Sequence, residues 1–236
     1  MTRRPHHFLT FADVPAAEWP AVLDRAARLK ADRGEIRHDT LAGKTVALVF
    51  DKPSTRTRVS FQVAVYELGG QTVELNQATS QLGRGEPIAD TARVLSSYCH
   101  AIVVRTFGHD RVEAYAAAAS VPVVNGLTDL HHPCQVATDL FTVREHLGAI
   151  DGVRYAWVGD GNNMACSWIE AAGELGLSLA LACPDGFQPD PAVVAAARAA
   201  QARLGRGAIE LTTDPREAVA GADVISTDVW ASMGQE

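Results

Sequence analysis

Several features that define common classes of protein are missing from this sequence. Its four cysteines lie far apart and form no Cys-x-x-Cys pair, so we expect neither a disulfide framework nor a zinc framework. No apolar run approaches the ~20 residues that a membrane-spanning helix needs, so we expect no membrane partner. Arg3 and Arg4 are not followed by an apolar core, which argues against a secretory signal. We therefore expect a protein of the reducing cytoplasm.

Two common nucleotide-binding motifs are absent or incomplete. The segment Asp51–Arg58 has neither the glycines nor the Gly-Lys-Ser/Thr ending of a phosphate-binding P-loop. The segment Gly159–Asn163 follows a predicted strand but lacks the full Gly-x-Gly-x-x-Gly fingerprint of a dinucleotide site. A nicotinamide-dependent oxidoreductase that uses this turn therefore stays open as a weakly supported alternative.

The chain has an excess of acidic residues. Its 236 residues carry a formal net charge of −7, and 47% of them are hydrophobic. An acidic chain is a poor general binder of nucleic acid, so we expect no nucleic-acid partner. Any site for an anion must be local, built by a few focused arginines. The length and composition fit a globular protein of one large or two modest domains.

Short apolar runs alternate with helical patterns along the whole chain. The predicted strands are 45–50, 71–75, 101–105, 122–125, 153–158, 178–183, 208–212 and 223–227. The predicted helices lie near 16–33, 58–68, 87–98, 110–119, 134–147, 164–175, 190–204 and 214–220. This order predicts an α/β fold with two lobes, each a mostly parallel sheet with helices on both faces. The glycines at 148 and 152 mark a boundary, so we expect domains at 1–147 and 148–236.

The most informative stretch lies between the first predicted strand and the following helix. Pro53 disfavours helical geometry in the residue before it, and Ser54 is a good N-cap, so a helix is predicted to begin here. Its first turn carries Ser54, Thr55, Arg56, Thr57 and Arg58. The free N–H groups of a first turn attract an anion, and arginine grips phosphate oxygens in a two-pronged fork. The stretch predicts a cradle for a phosphate ester or anhydride; the alternative is a capped helix with two solvated arginines.

Polar residues recur directly after the predicted strands, where ligands collect in such folds. The candidates are Gln81, Arg105, His132, Gln135, Asn163 and Asp228. Each has an ordinary alternative: Arg105 could be a strand-end charge in water, Gln135 a surface residue of a helix, and Asp228 a helix cap. The convergence of these groups at one sheet edge favours a ligand site over the separate alternatives.

The adjacent histidines His131 and His132 do not predict a metal site. Neighbouring histidines rarely face one ion together, and no Asp, Glu or Cys set at metal-ligand spacing supports them. We therefore expect no metal and no other cofactor. A hydrogen bond from His132 to a substrate oxygen is the preferred interpretation, and Gln135 in the next helical turn can pair with an amide or carbamoyl group.

Three motifs together resemble the aspartate/ornithine carbamoyltransferase family. They are Ser54–Arg58, His132-Pro133-Cys134-Gln135 and Asp228–Gly234, in this order, and the third is similar to the ornithine branch rather than the aspartate branch. The resemblance implies transfer of a carbamoyl group from carbamoyl phosphate to the δ-amine of L-ornithine, giving citrulline and phosphate. It also implies a cytoplasmic homotrimer that works without a metal, with active sites at subunit interfaces.

The resemblance further implies roles for individual residues. Those expected at carbamoyl phosphate are Ser54, Thr55, Arg56, Thr57, Gln81, Arg105, His132 and Gln135. Those expected at ornithine are Asn163, Asp228, Ser232 and Met233. In the family, Arg105 and His132 would polarise the carbamoyl carbonyl, and Gln81 would reach a neighbouring subunit's site. We expect Arg105, His132 and Asp228 to act in catalysis.

The family continues beyond the position of Glu236. Its members carry a further strand with a His-Cys-Leu-Pro motif and then a terminal helix, so the sequence is either part of a longer chain or a truncated protein with an incomplete second lobe. If it is truncated, we expect weak binding of carbamoyl phosphate and little turnover. The alternatives are a non-catalytic binding module related to carbamoyltransferases, or a carbamoyltransferase for another amine such as putrescine or acetylornithine.

Overall fold

The structure is a computed structural model that describes residues 6–35, 37–76 and 85–229. Its contacts divide the chain into two compact units. The first unit contains the residues up to Leu9 together with Glu18–Asp129, and the second contains Thr10–Ala17 together with the residues from Leu130 onward. The expected domain boundary at 147/148 stays a prediction. The contacts within the structure group the residues from Leu130 onward with the second unit.

The first unit contains one parallel sheet and four α-helices within its described residues. Its elements are α1 Trp19–Ala31, β1 Thr45–Phe50, α2 Arg56–Glu67, β2 Gln71–Asn76, α3 Ile88–Tyr98, β3 Ala101–Arg105, α4 His109–Ala118 and β4 Val123–Leu127. The strand order is β2-β1-β3-β4, and every pairing is parallel. Phe8 adds an isolated parallel bridge to Val124 beside β4.

The second unit repeats this architecture. Its α-helices and strands are α5 Pro133–Leu147, β5 Arg154–Val158, α6 Asn163–Leu175, β6 Ser178–Ala182, α7 Pro191–Leu204, β7 Ala208–Thr212, α8 Pro215–Val219 and β8 Val224–Ser226. The strand order is β7-β6-β5-β8, again all parallel. Two 3₁₀ helices, Phe11–Asp13 and Ala16–Glu18, precede α1 in the chain. The predicted fold class, two mostly parallel sheets with helices, is confirmed.

The central strands of the first sheet are buried on both faces, as expected for a parallel sheet covered by helices. Residues alternate between two cores because successive side chains of a strand point to opposite faces. Ala47 and Val49 pack in one core with residues of α3 and α4, whereas Leu48 and Phe50 pack in the other with Val65 of α2. The sheet therefore presents one strand-end residue to α2 and the next to α4.

Each sheet has a point where the chain changes direction across it. From β1 the chain proceeds outward to β2 and then returns to β3 on the other side of β1. In the second unit the same change occurs between β5 and β8. Ligands of open parallel sheets bind at the carboxyl ends of the strands at such a switch point. The segments that follow β1, β3, β5 and β8 are therefore the places where a ligand site is expected.

The segment Thr10–Ala17 belongs to the second unit although it lies near the start of the chain. Phe11 is fully buried, and its backbone N–H donates to Glu170 Oε2 of α6 at 3.0 Å. Within the described ranges, no helix is both long and apolar enough to span a membrane.

Candidate active site

The start of α2 lies at the carboxyl end of β1, at the switch point of the first sheet. Thr55 is the N-cap, and no side chain accepts a hydrogen bond from the first turn at this cap. The N-cap is Thr55, one residue after the predicted Ser54, and its backbone already has right-handed helical angles, with φ −88° and ψ −57°. The first N–H groups of α2, which lack intrahelical partners, thus face a turn lined by Ser54, Thr55, Arg56 and Thr57.

Arg105 ends β3 on the other side of the same switch point. Its side chain lies on the α2 side of the sheet, where Nη1 donates to Thr57 Oγ1 at 3.1 Å, and the residue is only 6% exposed. Burial lowers the pKa of Arg105 from its ordinary value, and the nearby charge of Arg56 lowers it further. Its buried Nε has no hydrogen-bond partner, and no carboxylate pairs with it among the residues described. This guanidinium is placed to receive an anion.

Arg58 does not contribute to this cradle, contrary to the sequence interpretation. Its Nε lies 3.7 Å from Glu74 Oε2 of β2, and its guanidinium lies 5.9 Å from the centroid of the Phe50 ring. Side chains two positions apart on a helix point in directions that differ by about 200°, so Arg58 points away from the direction of Arg56. Among the described residues, Arg56 and Arg105 are therefore the arginines that remain candidates for the cradle.

Other charged residues at the carboxyl edge of the first sheet were not predicted. Asp51 Oδ2 accepts from Thr106 Oγ1 at 2.7 Å and from Arg111 Nη2 at 3.2 Å. Lys52 forms an ion pair with Asp129, and its Nζ lies 4.6 Å from the centroid of another aromatic ring, that of Phe107. The only signal in the sequence was the position of Asp51 and Lys52 directly after a strand; their partners are brought near by the sheet.

His132 occupies the N-cap of α5, followed by Pro133 in the first helical position. Its backbone N–H donates to Ser167 Oγ at 2.7 Å, and Ser167 Oγ donates in turn to the carbonyl oxygen of Asn163 at 2.7 Å. Two predicted site residues, His132 and Asn163, are thus joined through Ser167 at the start of α6. Ser167 is fully buried and was not predicted as a site residue.

Gln135 is engaged within its own helix. Its side-chain Nε2 donates to Asp139 Oδ1, one turn further along α5, at 2.9 Å. Burial raises the pKa of Asp139, whereas this hydrogen bond lowers it. A role for Gln135 in binding the amide of a carbamoyl group stays a prediction. In that role its side-chain amide would release Asp139 and form a hydrogen bond with the substrate instead.

Asp228 follows β8 at the switch point of the second sheet. Its Oδ2 accepts from Asn162 Nδ2 at 3.2 Å, and its Oδ1 accepts from the N–H of Val229 at 2.8 Å. Burial raises the pKa of Asp160, which follows β5, and the charge of Asp228 raises it further. Two carboxyl groups and an amide therefore meet where β5 and β8 end, a combination that suits a cationic amine.

Asn162 is a residue of this region that the sequence interpretation missed. It is the N-cap of α6, and its Oδ1 accepts from the N–H groups of Met164 and Ala165 at 2.9 and 3.2 Å. The recognisable signal was a capping residue directly before a helical pattern. Because Oδ1 is held by the helix start, Nδ2 is directed to Asp228.

Three predicted site residues, Gln81, Ser232 and Met233, lie outside the described residues. Within the described part of the chain, no group of three or more His, Cys, Asp or Glu side chains could hold a metal ion.

Comparison with known proteins agrees with the two-unit architecture. The family model described as "Aspartate/ornithine carbamoyltransferase, carbamoyl-P binding domain" matches residues 6–145, and that described as "Asp/Orn binding domain" matches residues 151–236. The chain belongs to the aspartate/ornithine carbamoyltransferase family. The resemblance inferred from three motifs is thereby confirmed, and Arg56 and Arg105 both lie in the segment that matches the carbamoyl phosphate-binding domain.

Relatives within this carbamoyltransferase family are similar over almost the whole chain. An ornithine carbamoyltransferase of Pelobacter propionicus is 55% identical and covers 98% of this chain, which spans 74% of that relative. One from Acidothermus cellulolyticus is 58% identical over 98% of this chain and 73% of its own length. The structure of the Pyrococcus furiosus ornithine carbamoyltransferase matches with a TM-score of 0.93 and 48% identity, covering 100% of this chain and 75% of that one.

Proposed function

We propose that this protein transfers the carbamoyl group of carbamoyl phosphate to the δ-amine of L-ornithine, giving L-citrulline and phosphate. The observation that carries the proposal is the buried guanidinium of Arg105, which contacts Thr57 at a helix start and pairs with no carboxylate in the described residues. A buried cation is costly unless it is compensated, so the site is suited to an anionic substrate. Family membership identifies that anion as carbamoyl phosphate.

The first unit supplies groups for the departing phosphate. The N–H groups at the start of α2, the hydroxyls of Ser54, Thr55 and Thr57, and the guanidinium of Arg56 can neutralise its charge. Arg105, beside Thr57, can donate to the carbamoyl oxygen, on which negative charge grows during attack. The guanidinium of Arg105 is held by Thr57 before the substrate arrives, so little reorganisation of this donor is needed in the transition state.

The second unit supplies groups for the amine. The neutral δ-amine attacks the carbamoyl carbon, a C–N bond forms, the bond from that carbon to the bridging phosphate oxygen breaks, and one proton passes from the nitrogen to the departing phosphate. Asp228, held by Asn162, and Asp160 offer carboxylates that can bind the α-ammonium group of ornithine. Holding both reactants together supplies a large share of the rate enhancement expected for such a reaction.

Citrulline formation from carbamoyl phosphate and L-ornithine tests the proposal on the purified 236-residue chain. Putrescine and N-acetylornithine are offered in parallel under the same conditions. Citrulline production with a clear preference for ornithine supports the proposal. Faster carbamoylation of putrescine or acetylornithine would assign another amine, and binding of carbamoyl phosphate without any turnover would favour the non-catalytic alternative.

The assembly and the cellular location follow from the same proposal. The family resemblance supports a homotrimer in the cytoplasm that serves arginine biosynthesis, with Gln81 reaching a neighbouring subunit. The roles of Gln81, Ser232 and Met233 remain part of this proposal.

A further inference from the structure

A group of three hydrogen-bonded side chains lies beside Arg105 in the first unit. Thr106 Oγ1 donates to Asp51 Oδ2 at 2.7 Å, and Arg111 Nη2 donates to the same oxygen at 3.2 Å. Arg111 Nε also donates to Thr106 Oγ1 at 2.9 Å, which closes the group. Thr106 is fully buried and the Asp51 side chain is 1% exposed. We call these residues the Asp51–Thr106–Arg111 group.

This group lies on the opposite side of the sheet from the guanidinium of Arg105. Arg105 is the register partner of Phe50, whose side chain packs in the core shared with α2. Asp51 and Thr106 are the next residues of the same two chains, so alternation directs their side chains toward α4, which carries Arg111. The backbone N–H of Asp51 donates to the carbonyl oxygen of Arg105 at 2.8 Å, so the two sides share a backbone.

The pairing of β3 with β4 does not by itself fix the direction of Arg105. The register between β3 and β4 shifts at this point, from Val104 opposite Asn125 to Arg105 opposite Leu127. Such irregularities re-aim side chains next to active sites, but they also weaken the ladder locally. Thr106 has a backbone hydrogen bond to Leu127 at 3.0 Å and the side-chain bonds described above. On the β1 side the strand end is held by regular pairing up to Arg105, and on the β4 side it is held through Thr106.

We propose that Thr106, clamped by Asp51 and Arg111, is a positioning residue that directs the Arg105 guanidinium toward Thr57 and the bound substrate. The inference rests on the proposed function, because it assigns Arg105 to carbamoyl phosphate. The hydroxyl of Thr106 is the element that matters, since it both donates to Asp51 and accepts from Arg111. Its methyl group contributes only packing.

A matched pair of variants separates these two contributions. Thr106→Val keeps the shape but removes the hydroxyl, whereas Thr106→Ser keeps the hydroxyl but removes a buried methyl group. We expect Thr106→Val to raise the dissociation constant for carbamoyl phosphate between about tenfold and hundredfold, the scale of a misplaced reacting group. We expect Thr106→Ser to bind within about threefold of the parent although it loses stability through the missing methyl group.

The measurements are calorimetric titration with freshly dissolved carbamoyl phosphate and the melting temperature of each variant. Thr142→Val is the control for the substitution itself, because Thr142 donates only within α5 of the second unit. If binding by the Val and Ser variants weakens in proportion to their loss of stability, Thr106 is only structural and the inference fails. A parent that neither binds carbamoyl phosphate nor forms citrulline would overturn the proposed function as well.

A second pair tests the charges of the group. Arg111→Met leaves the buried Asp51 carboxylate with Thr106 as its one remaining side-chain partner among the described residues, so the strand end should move and binding should weaken. Adding Asp51→Asn removes that uncompensated charge while an amide oxygen can still accept from Thr106. We expect the double variant to bind carbamoyl phosphate more tightly than Arg111→Met alone. Equal or weaker binding by the double variant would contradict the positioning role; Arg206→Met, which breaks an exposed pair with Asp151, is the control.

Discussion

Arg56, Arg58 and Arg105 show how contacts decide what one residue type does. Arg58 is paired with Glu74 and lies over Phe50, so its charge is already compensated by the fold. Arg105 is buried beside Thr57 and is paired with no carboxylate among the described residues. Arg56 is exposed at the start of α2, and its charge lowers the pKa of Arg105. An anion therefore interacts favourably with Arg56 and Arg105 but has little to gain from Arg58.

Replacing Arg56 by alanine should damage transition-state binding. The loss of a charge-assisted phosphate contact is expected to cost about 2–4 kcal/mol in kcat/KM for carbamoyl phosphate. The measurement is initial-rate kinetics at saturating ornithine. Arg58→Ala is the matched control from the same helix, and it should leave the dependence on carbamoyl phosphate close to that of the parent. An unchanged carbamoyl phosphate dependence in Arg56→Ala would refute the assignment of the cradle.

Glu170 is expected to make the stability of the protein depend on pH. Burial raises its pKa from 4.5 to about 7, although the N–H of Phe11 and the hydroxyl of Thr10 lower it; the charges of Asp13 and Glu174 raise it. His131 Nδ1 lies 3.8 Å from its carboxylate. Because the folded-state pKa is raised, its contribution to stability is complete below pH 4.5 and is lost as the pH rises through about 7.

The variant Glu170→Gln does not titrate, so it should gain stability relative to the parent as the pH rises. Between pH 5 and pH 8 the difference in free energy of unfolding should change by about 1–3 kcal/mol in favour of the variant. Urea denaturation at several pH values measures it, with the exposed Glu113→Gln of α4 as control. A difference that stays constant with pH would show that Glu170 ionises normally in the folded state.

Residue types at strand ends could be predicted from the sequence, but their partners could not. Arg105, Asn163 and Asp228 were identified because they follow apolar runs, and they do lie at strand ends or helix starts. Asn162 and Arg111 were missed because their importance comes from what the fold places beside them. Asn162 is recognisable only as a helix cap, and Arg111 only as one charge among others on α4.

At the scale of elements, hydrophobic patterning was sufficient to predict all eight strands found in the described part of the chain. Each predicted run overlaps an observed strand, and three of them have the observed limits: 45–50, 101–105 and 208–212. The runs of β1 and β3 are buried on both faces and are bounded by polar residues, whereas β7 is mostly exposed. The helix start after β1 was misplaced by one residue because Ser54 and Thr55 are both suitable caps and only the backbone conformation distinguishes them.

Close packing of two helices predicts an unusual result at Gly173. A Cβ atom at this position of α6 would lie 2.7 Å from both the Cα and the Cβ of Ala197 in α7. Replacing a helical glycine by alanine normally stabilises a helix by roughly 1 kcal/mol. Gly173→Ala should instead destabilise the protein by about 1–3 kcal/mol, because the helices must separate. Thermal unfolding shows whether the variant is less or more stable than the parent, and a more stable variant would show that the helices can move apart at little cost.

At the scale of the whole molecule, the proposed homotrimer predicts a mass in solution. Sedimentation equilibrium should give about three times the chain mass of 25.2 kDa, independent of carbamoyl phosphate. The proposal draws on the family resemblance, which implies that Gln81 of one subunit reaches its neighbour's site. A single species at the mass of one chain would contradict the trimer without affecting the assignment of Arg56 and Arg105.

The position of Phe11 has a consequence for how the protein can be divided. This residue precedes Glu170 by 159 residues in the chain, yet it is fully buried in the second unit and bonded to Glu170. The second unit therefore cannot complete its interior until α6, more than 150 residues later, has left the ribosome. For the same reason a single cut of the gene cannot separate the two units cleanly: a fragment that starts at position 148 would lack both Phe11 and α5. A protein engineer who wants the later half alone should graft residues 10–17 onto it.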